Sequence, residues 1–218
     1  HTGTLDPFAT GLLVLLSGHA TRLAPRFSGL DKRYLTTVDL TARTDSGDCT
    51  GEVVARHAAP SRAQLEAALT PLRGEVELRI PTASAVKIDG ERAYKKHRRG
   101  EAPEMPLRRS RIDRLDLLAY EDGIATLDLH VTSGTYVRSV AEALGGHCVT
   151  LRRLEVGPWS VEEAGDPDAP EGPRVIPVAE ALARLPEPAA AEAPGEAPGP
   201  AGEPGAAGSA AAAGNESA

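Results

Sequence analysis

The sequence predicts an α+β fold whose sheet is mixed, largely antiparallel, and flanked by helices. Two observations carry that prediction. Strand-like and helix-like runs are interleaved over residues 1–165, and several strand-like runs are separated only by turns of hairpin length. Hairpin turns join antiparallel neighbours, which argues against a doubly wound parallel sheet. A third observation bounds the fold. From Glu187 onward the chain is almost entirely Ala, Pro, Gly, Glu and Ser, too little large apolar surface to offset the entropy of ordering it. Residues 187–218 are therefore predicted to be a disordered tail, 1–165 the globular domain, and 166–186 a linker with a short helix.

The elements follow in order. Thr10–Leu16 (TGLLVLL) is a short apolar run and reads as a buried strand. Gly18–Leu30 places Ala20, Leu23, Ala24 and Phe27 at helical spacing. Tyr34–Leu40 alternates β-branched and polar residues, as a strand does. Thr44–Gly51 is turn chemistry, and Glu52–Ala55 follows as a short strand. Ser61 is placed to cap a helix through Leu72, with Gly74 just beyond its end. Glu75–Ile80 alternates again, and Arg92–Arg99 reads as a short, highly basic helix closed by Gly100. Ile112–Leu118 and Ala125–Thr132 are strands separated by the turn Glu121–Gly123. Tyr136–Leu144 is helical and ends at Gly145-Gly146, and Val149–Val156 is the last strand.

Net charge misleads until it is divided. The whole chain carries -7, yet residues 1–165 hold 22 basic and 22 acidic residues, and residues 166–218 hold 2 and 9. Within the neutral part, Arg92–Arg114 has nine Lys+Arg against Glu101, Glu104 and Asp113. An acidic total therefore does not exclude a polyanionic partner. Cys49 and Cys148 are the only cysteines and show no metal-ligand spacing. They read as reduced cytosolic thiols, and neither a metal nor a cofactor is expected. No apolar run approaches the ~20 residues of a membrane span; no membrane association is expected.

One acid stands out by position. Asp6 sits in HTGTLDP, a loop directly before an apolar run, with Pro7, Gly3 and Gly11 restricting the backbone around it. Asp before Pro is also ordinary turn chemistry, so spacing alone leaves Asp6 open between a turn cap and a catalytic acid.

The longer string HTGTLDPFATGLLVLLSGHATRL resembles the catalytic motif of the TruB family of bacterial tRNA pseudouridine-55 synthases, GHTGxLDPxATGxL. Further resemblances come in the family's order. Lys32-Arg33-Tyr34 and then Thr44-Asp45-Ser46-Gly47-Asp48 with Gly51 are similar to KxY and TDTxDxxG. Ser84-Ala85-Val86-Lys87, Gly90 and Arg92-Ala93-Tyr94 resemble SAxKxxGxRAY. Ser133–Ser139 is similar to SxGTYxRS, and Leu151-Arg152-Arg153 with Gly157-Pro158 to LRRxxxGPF. The resemblance covers residues 1–164 and implies the pseudouridine synthase fold.

It also implies a chemistry. Uridine becomes pseudouridine when the C1′–N1 bond breaks, the freed uracil turns, and C5 joins C1′. No redox change or group transfer is involved. The need is for one group that attacks or deprotonates the nucleoside, and a carboxylate can serve as nucleophile. The stacked target base must first be flipped out. By resemblance Asp6 is the catalytic residue and Arg138 its partner, since an arginine fork stabilises carboxylate charge. Tyr34 would lie against the flipped uracil, Tyr136 and Leu151 would line the pocket wall, and His1 would take the space the base leaves. The family's insertion that closes over the T-arm corresponds to the basic stretch, so Lys95, Lys96, Arg98 and Arg99 are expected at the RNA backbone.

Three departures are visible. The portion preceding His1, with a family Lys-Pro element, is expected to be missing. Two residues separate Pro81 from Ser84 where the family usually has three. After Pro177–Leu185 the family's C-terminal RNA-binding domain is not evident. The expected protein is a cytoplasmic monomer acting on tRNA without guide RNA or protein partner. The alternatives are a catalytically weak tRNA-binding or folding factor of the same fold, which would need the basic stretch but not Asp6, Tyr34 and Arg138 together, and a guide-dependent relative.

Overall fold

A computed structural model of the protein describes residues 1–186, except 102 and 171. The stretch expected to be a disordered tail lies outside the described residues. In chain order the elements are β1 (Thr10–Gly11), α1 (Ala24–Ser28), β2 (Lys32–Asp39), β3 (Ala42–Thr44) and β4 (Val53–Arg56). Next come α2 (Arg62–Leu69), β5 (Gly74–Arg79), β6 (Lys87–Ile88), β7 (Glu91–Arg92) and α3 (Ala93–Arg98). The last are β8 (Leu107–Glu121), β9 (Ile124–Val131), α4 (Val137–Ala143), β10 (His147–Val156), β11 (Trp159–Ser160) and α5 (Val178–Ala183). Seven strands form one sheet in the order β1-β10-β2-β9-β8-β5, with β11 also on β10. Among the strands of this sheet only β1 runs parallel to its neighbour; the other strand pairings are antiparallel.

Alternation along β2 and β10 gives the sheet two different faces. One carries Val38, Leu127, Leu129 and Leu151, which close against Leu65 and Leu69 of α2 and Val140 of α4 to make the main core. Truncating one of its fully buried leucines to alanine costs roughly 2–5 kcal/mol. The opposite face is polar. Arg33 Nη2 and Arg114 Nη2 both bind Asp128 Oδ2, at 2.7 and 2.8 Å. Those guanidiniums, Arg33 first, hold the Asp128 carboxyl below its usual range. A second cluster joins Phe27, Val156 and Trp159 to Leu182 and Leu185, so the segment expected as a linker packs on the domain through α5.

Four expectations are corrected in detail. The run Thr10–Leu16 is a strand only at Thr10–Gly11, because β11 pairs Glu155 and Val156 and occupies the edge it would continue along. Gly18–Leu30 is a 3-10 turn over Gly18–Leu23 followed by α1, with Pro25 at the start of the second helix. The helix expected through Leu72 ends at Leu69 and tightens into a 3-10 turn over Thr70–Leu72. Its start is as expected: the Ser61 hydroxyl accepts from the Gln64 amide while the Gln64 side chain accepts from the Ser61 amide, a reciprocal cap worth about 1 kcal/mol. Ile112–Leu118 lengthens to Leu107–Glu121, since β5 supplies hydrogen-bond partners from Leu107 to Ile112.

Candidate active site

The loop ahead of β1 is held at several points. Its turn closes through the Ala9 amide on the Asp6 carbonyl at 2.9 Å, and its exit through the Leu12 amide on the Arg153 carbonyl, also 2.9 Å. Gly11 lies against Arg153 so closely that a Cβ would sit 2.2 Å from the Arg153 carbonyl oxygen, and its φ is +101°. Only glycine meets both requirements.

Asp6 projects from this loop onto Arg138 in the first turn of α4. Arg138 Nε donates to Asp6 Oδ2 at 2.9 Å and Nη2 to Oδ1 at 2.8 Å, a bidentate pair. The rest of the fork is used as well: Nη1 donates to the Ser46 carbonyl at 2.8 Å and Nη2 to that of Ala83 at 3.1 Å. Asp48 Oδ2 lies 3.6 Å from Nη1. The Arg138 side chain is 2% exposed and that of Asp6 30%. A buried fork thus fixes a carboxylate that still faces solvent. Lysine could not reproduce that geometry, having no planar set of donors.

The Thr44–Asp48 loop is rigid for its own reasons. Asp48 Oδ1 accepts from Ser46 Oγ at 2.9 Å, the Thr50 amide at 2.9 Å and Thr50 Oγ1 at 2.6 Å. This aims the Ser46 carbonyl at Arg138. Glu142, one turn on from Arg138, has its carboxyl pKa raised by burial, with Arg138 and Asp48 among the charges around it.

The other expected site residues are placed as follows. Tyr34 of β2 is partly buried against the main core; burial raises its phenol pKa, and Arg153 and Asp6 face it with opposite effects. Leu151 is 6% exposed and belongs to that core. Tyr136 immediately precedes α4 and packs on Ile80, Ala93 and Met105. His1 is exposed. On α3, Lys95 and Arg98 are exposed and the Arg98 guanidinium lies over the Tyr94 ring. Lys96 and Arg99 are instead engaged by acids. Lys96 Nζ reaches Asp89 at 3.2 Å, while Arg99 binds Glu91 through two 2.7 Å bonds and Glu101 through a third.

Sequence reasoning quoted Asp48 and Arg153 within motifs without giving either a role. Arg138 hinted at the first, because a buried guanidinium needs more acceptors than one carboxylate. Nothing in the pattern pointed to the second. Away from this site, Asp31, Asp113 and His130 each bring a ligand-type atom within 4.8 Å of the others, but Arg111 Nε sits 3.0 Å from Asp113. That group has the character of a surface ion-pair cluster.

The fold and the site together define a pseudouridine synthase domain. In the solved structure of a Cbf5-Nop10-Gar1 complex, a chain superposes with TM-score 0.54 at 24% identity, over 73% of this chain and 40% of that one. The sequence profile of the TruB family pseudouridylate synthase (N terminal domain) matches residues 1–137, and the chain belongs to the TruB family. The tRNA pseudouridine synthase B of Prochlorococcus marinus (strain MIT 9313) is 40% identical over 202 residues, 85% of this chain and 63% of that protein. That of Bordetella avium (strain 197N) is 40% identical over 181 residues, 78% and 73% respectively. That of Pseudomonas aeruginosa (strain UCBPP-PA14) is 42% identical over 171 residues, 75% and 56%. The chain thus spans between 56% and 73% of the length of these relatives.

Proposed function

We propose that this chain isomerises uridine to pseudouridine in the T-loop of tRNA, position 55, with Asp6 as nucleophile and no cofactor. The observation that carries the reading is the bidentate grip of the buried Arg138 on the solvent-facing carboxylate of Asp6. A protein that only held tRNA would have no use for that pair. Composition is unchanged by the reaction: C1′–N1 breaks, C1′–C5 forms, the proton leaves C5 and N1 gains one. Asp6 attacks the nucleoside once the base is flipped out. Tyr34, partly buried beside it, supplies an aromatic face for the uracil and a hydroxyl able to move a proton, and His1 fills the space left in the RNA. Lys95 and Arg98 meet phosphates from the exposed side of α3.

The relatives named tRNA pseudouridine synthase B support the substrate and the reaction. No helix among the described residues is long and apolar enough to cross a membrane. The reading has the protein acting in the cytoplasm as a monomer, without guide RNA or protein partner. The test is pseudouridine formation in an unmodified tRNA transcript with no other macromolecule added. Asp6→Asn keeps size and shape but removes the nucleophile, so conversion should fall by at least about 10³-fold while tRNA binding persists. Turnover of Asp6→Asn within tenfold of the parent removes Asp6 from the mechanism.

A further inference from the structure

The largest fully buried side chain of the described residues is a cation, Arg153. No carboxylate among the described residues lies within ion-pair distance of it; its donors go elsewhere. Nε donates to the Leu12 carbonyl at 2.7 Å and Nη2 to the Gly3 carbonyl at 3.0 Å. One guanidinium therefore ties both ends of the loop that carries Asp6, the loop whose exit amide already donates to the Arg153 carbonyl. The register of β10 explains how. Arg153 is opposite Gly11 on the parallel side and opposite Tyr34 on the antiparallel side, and directly opposed residues share a face. Its side chain lies between the Asp6 loop and the Tyr34 phenol, and its charge favours the ionised phenol.

Burying a guanidinium without a carboxylate is costly. Stability alone is served as well by an apolar side chain of similar volume, so the arrangement calls for another explanation. We infer that Arg153 is a positioning residue for catalysis, holding the Asp6 loop by both ends and the Tyr34 hydroxyl in one register. Arg138 fixes the carboxylate and Arg153 fixes the backbone beneath it and the ring beside it. This rests on the isomerase reading, since it assigns Arg153 to that same site. A displacement of about 1 Å in a reacting group can cost 10²-fold in rate.

The test uses the full chain carrying Arg153→Lys, which keeps the charge but cannot reach both carbonyls, and Arg153→Met, which keeps the volume. Two readouts need no RNA. Amide exchange should accelerate across residues 3–12 and leave β9 unchanged. In a 13C-tyrosine NMR titration of Arg153→Met, the Tyr34 resonance, assigned through Tyr34→Phe, should titrate at higher pH, since Asp6 opposes its ionisation and the cation that favoured it is gone. The other three tyrosines, Tyr94, Tyr120 and Tyr136, serve as controls. With tRNA, the single-turnover rate of Arg153→Lys should fall at least about 100-fold while Kd stays within threefold. If Arg153→Met fails to fold, the loop exchange and the single-turnover rate of Arg153→Lys decide, since its retained charge removes the Tyr34 titration as a test. Unchanged loop exchange in Arg153→Lys, or in Arg153→Met together with an unchanged Tyr34 titration, overturns the inference whatever the reaction is. A single-turnover rate for Arg153→Lys within threefold of an active parent does the same. A parent that binds tRNA without converting it overturns the isomerase reading instead, and the RNA-free readouts still decide the role of Arg153.

Discussion

Two buried cations, Arg138 and Lys32, show how differently a charge can be accommodated. Arg138 meets a carboxylate and two carbonyls. Lys32, 6% exposed, donates to the Ser28 and Leu30 carbonyls and to Ser133 Oγ but meets no acid among the described residues in direct contact. Burial, reinforced by Arg153, lowers its pKa from 10.5 to about 8, with Asp31 opposing. A lysine lowered in the folded state binds fewer protons folded than unfolded above pH 8, so its contribution to stability rises with pH from about 8 to 10.5. The stability difference between parent and Lys32→Met should therefore move in favour of the parent by about 2–3 kcal/mol from pH 7 to pH 10. Urea melts at the two pH values measure it; a flat difference would mean that Lys32 keeps an ordinary pKa. The pairing of Asp6 with Arg138 was legible in the sequence through the strings that carry the two residues, and the structure shows it. The bonds of Arg153 were not: it too lies in a matched string, but that string gives it no role, and only strand register brings it to Gly3 and Leu12, 150 and 141 residues away.

At the level of elements, what the sequence hid was decided by pairing. The stretch Leu107–Arg111 is exposed except at Ser110 and consists otherwise of Leu107 and three arginines, with none of the alternation that marks a strand, and it becomes one because β5 lies alongside. Thr10–Leu16 has the stronger strand pattern and yet pairs only at its start, since β11 holds the neighbouring edge. The helix α3 was legible as a basic helix, but not the division of its charges between solvent and neighbouring acids. That division makes a prediction under the proposed function. Arg98, exposed over Tyr94, is free to meet a phosphate, so Arg98→Ala should reduce the log–log salt slope of tRNA binding by about 0.7–0.9. Arg99 is already held by Glu91 and Glu101; a phosphate must displace those carboxylates, and Arg99→Ala should change the slope by less than half as much. Equal slopes would show that the ion pairs open freely when RNA binds.

For the described molecule as a whole, the distribution of apolar burial separates a rigid body from a looser attachment. The sheet face, α2 and α4 share one large core, and β9 lies at its middle with strands on both sides. The stretch bearing α3 rests on a small cluster of three buried residues, Ile80, Ala93 and Met105, with Val86, Ile88 and Tyr136 at its margin. Apart from local bonds such as Tyr94 N to the Ser84 carbonyl and Ala93 N to that of Val86, α3 reaches the body through a 3.6 Å approach of His97 to Asp45. Opening this stretch exposes little apolar surface, whereas opening β9 requires losing the core, and local opening free energies follow that difference. Amides of Tyr94–Gly100 should thus exchange with deuterium at least about 100-fold faster than those of Leu127 and Leu129. Under the proposed function, added tRNA should slow the first group and leave the second unchanged, because a phosphate backbone laid on α3 would hold it against the body. Such behaviour is what a segment that closes over its substrate requires, while Asp6, Arg138 and Arg153 stay fixed on the body beneath. Exchange of α3 at the rate of β9 would make the basic stretch an integral part of the rigid body, and RNA would then have to dock on a preformed surface.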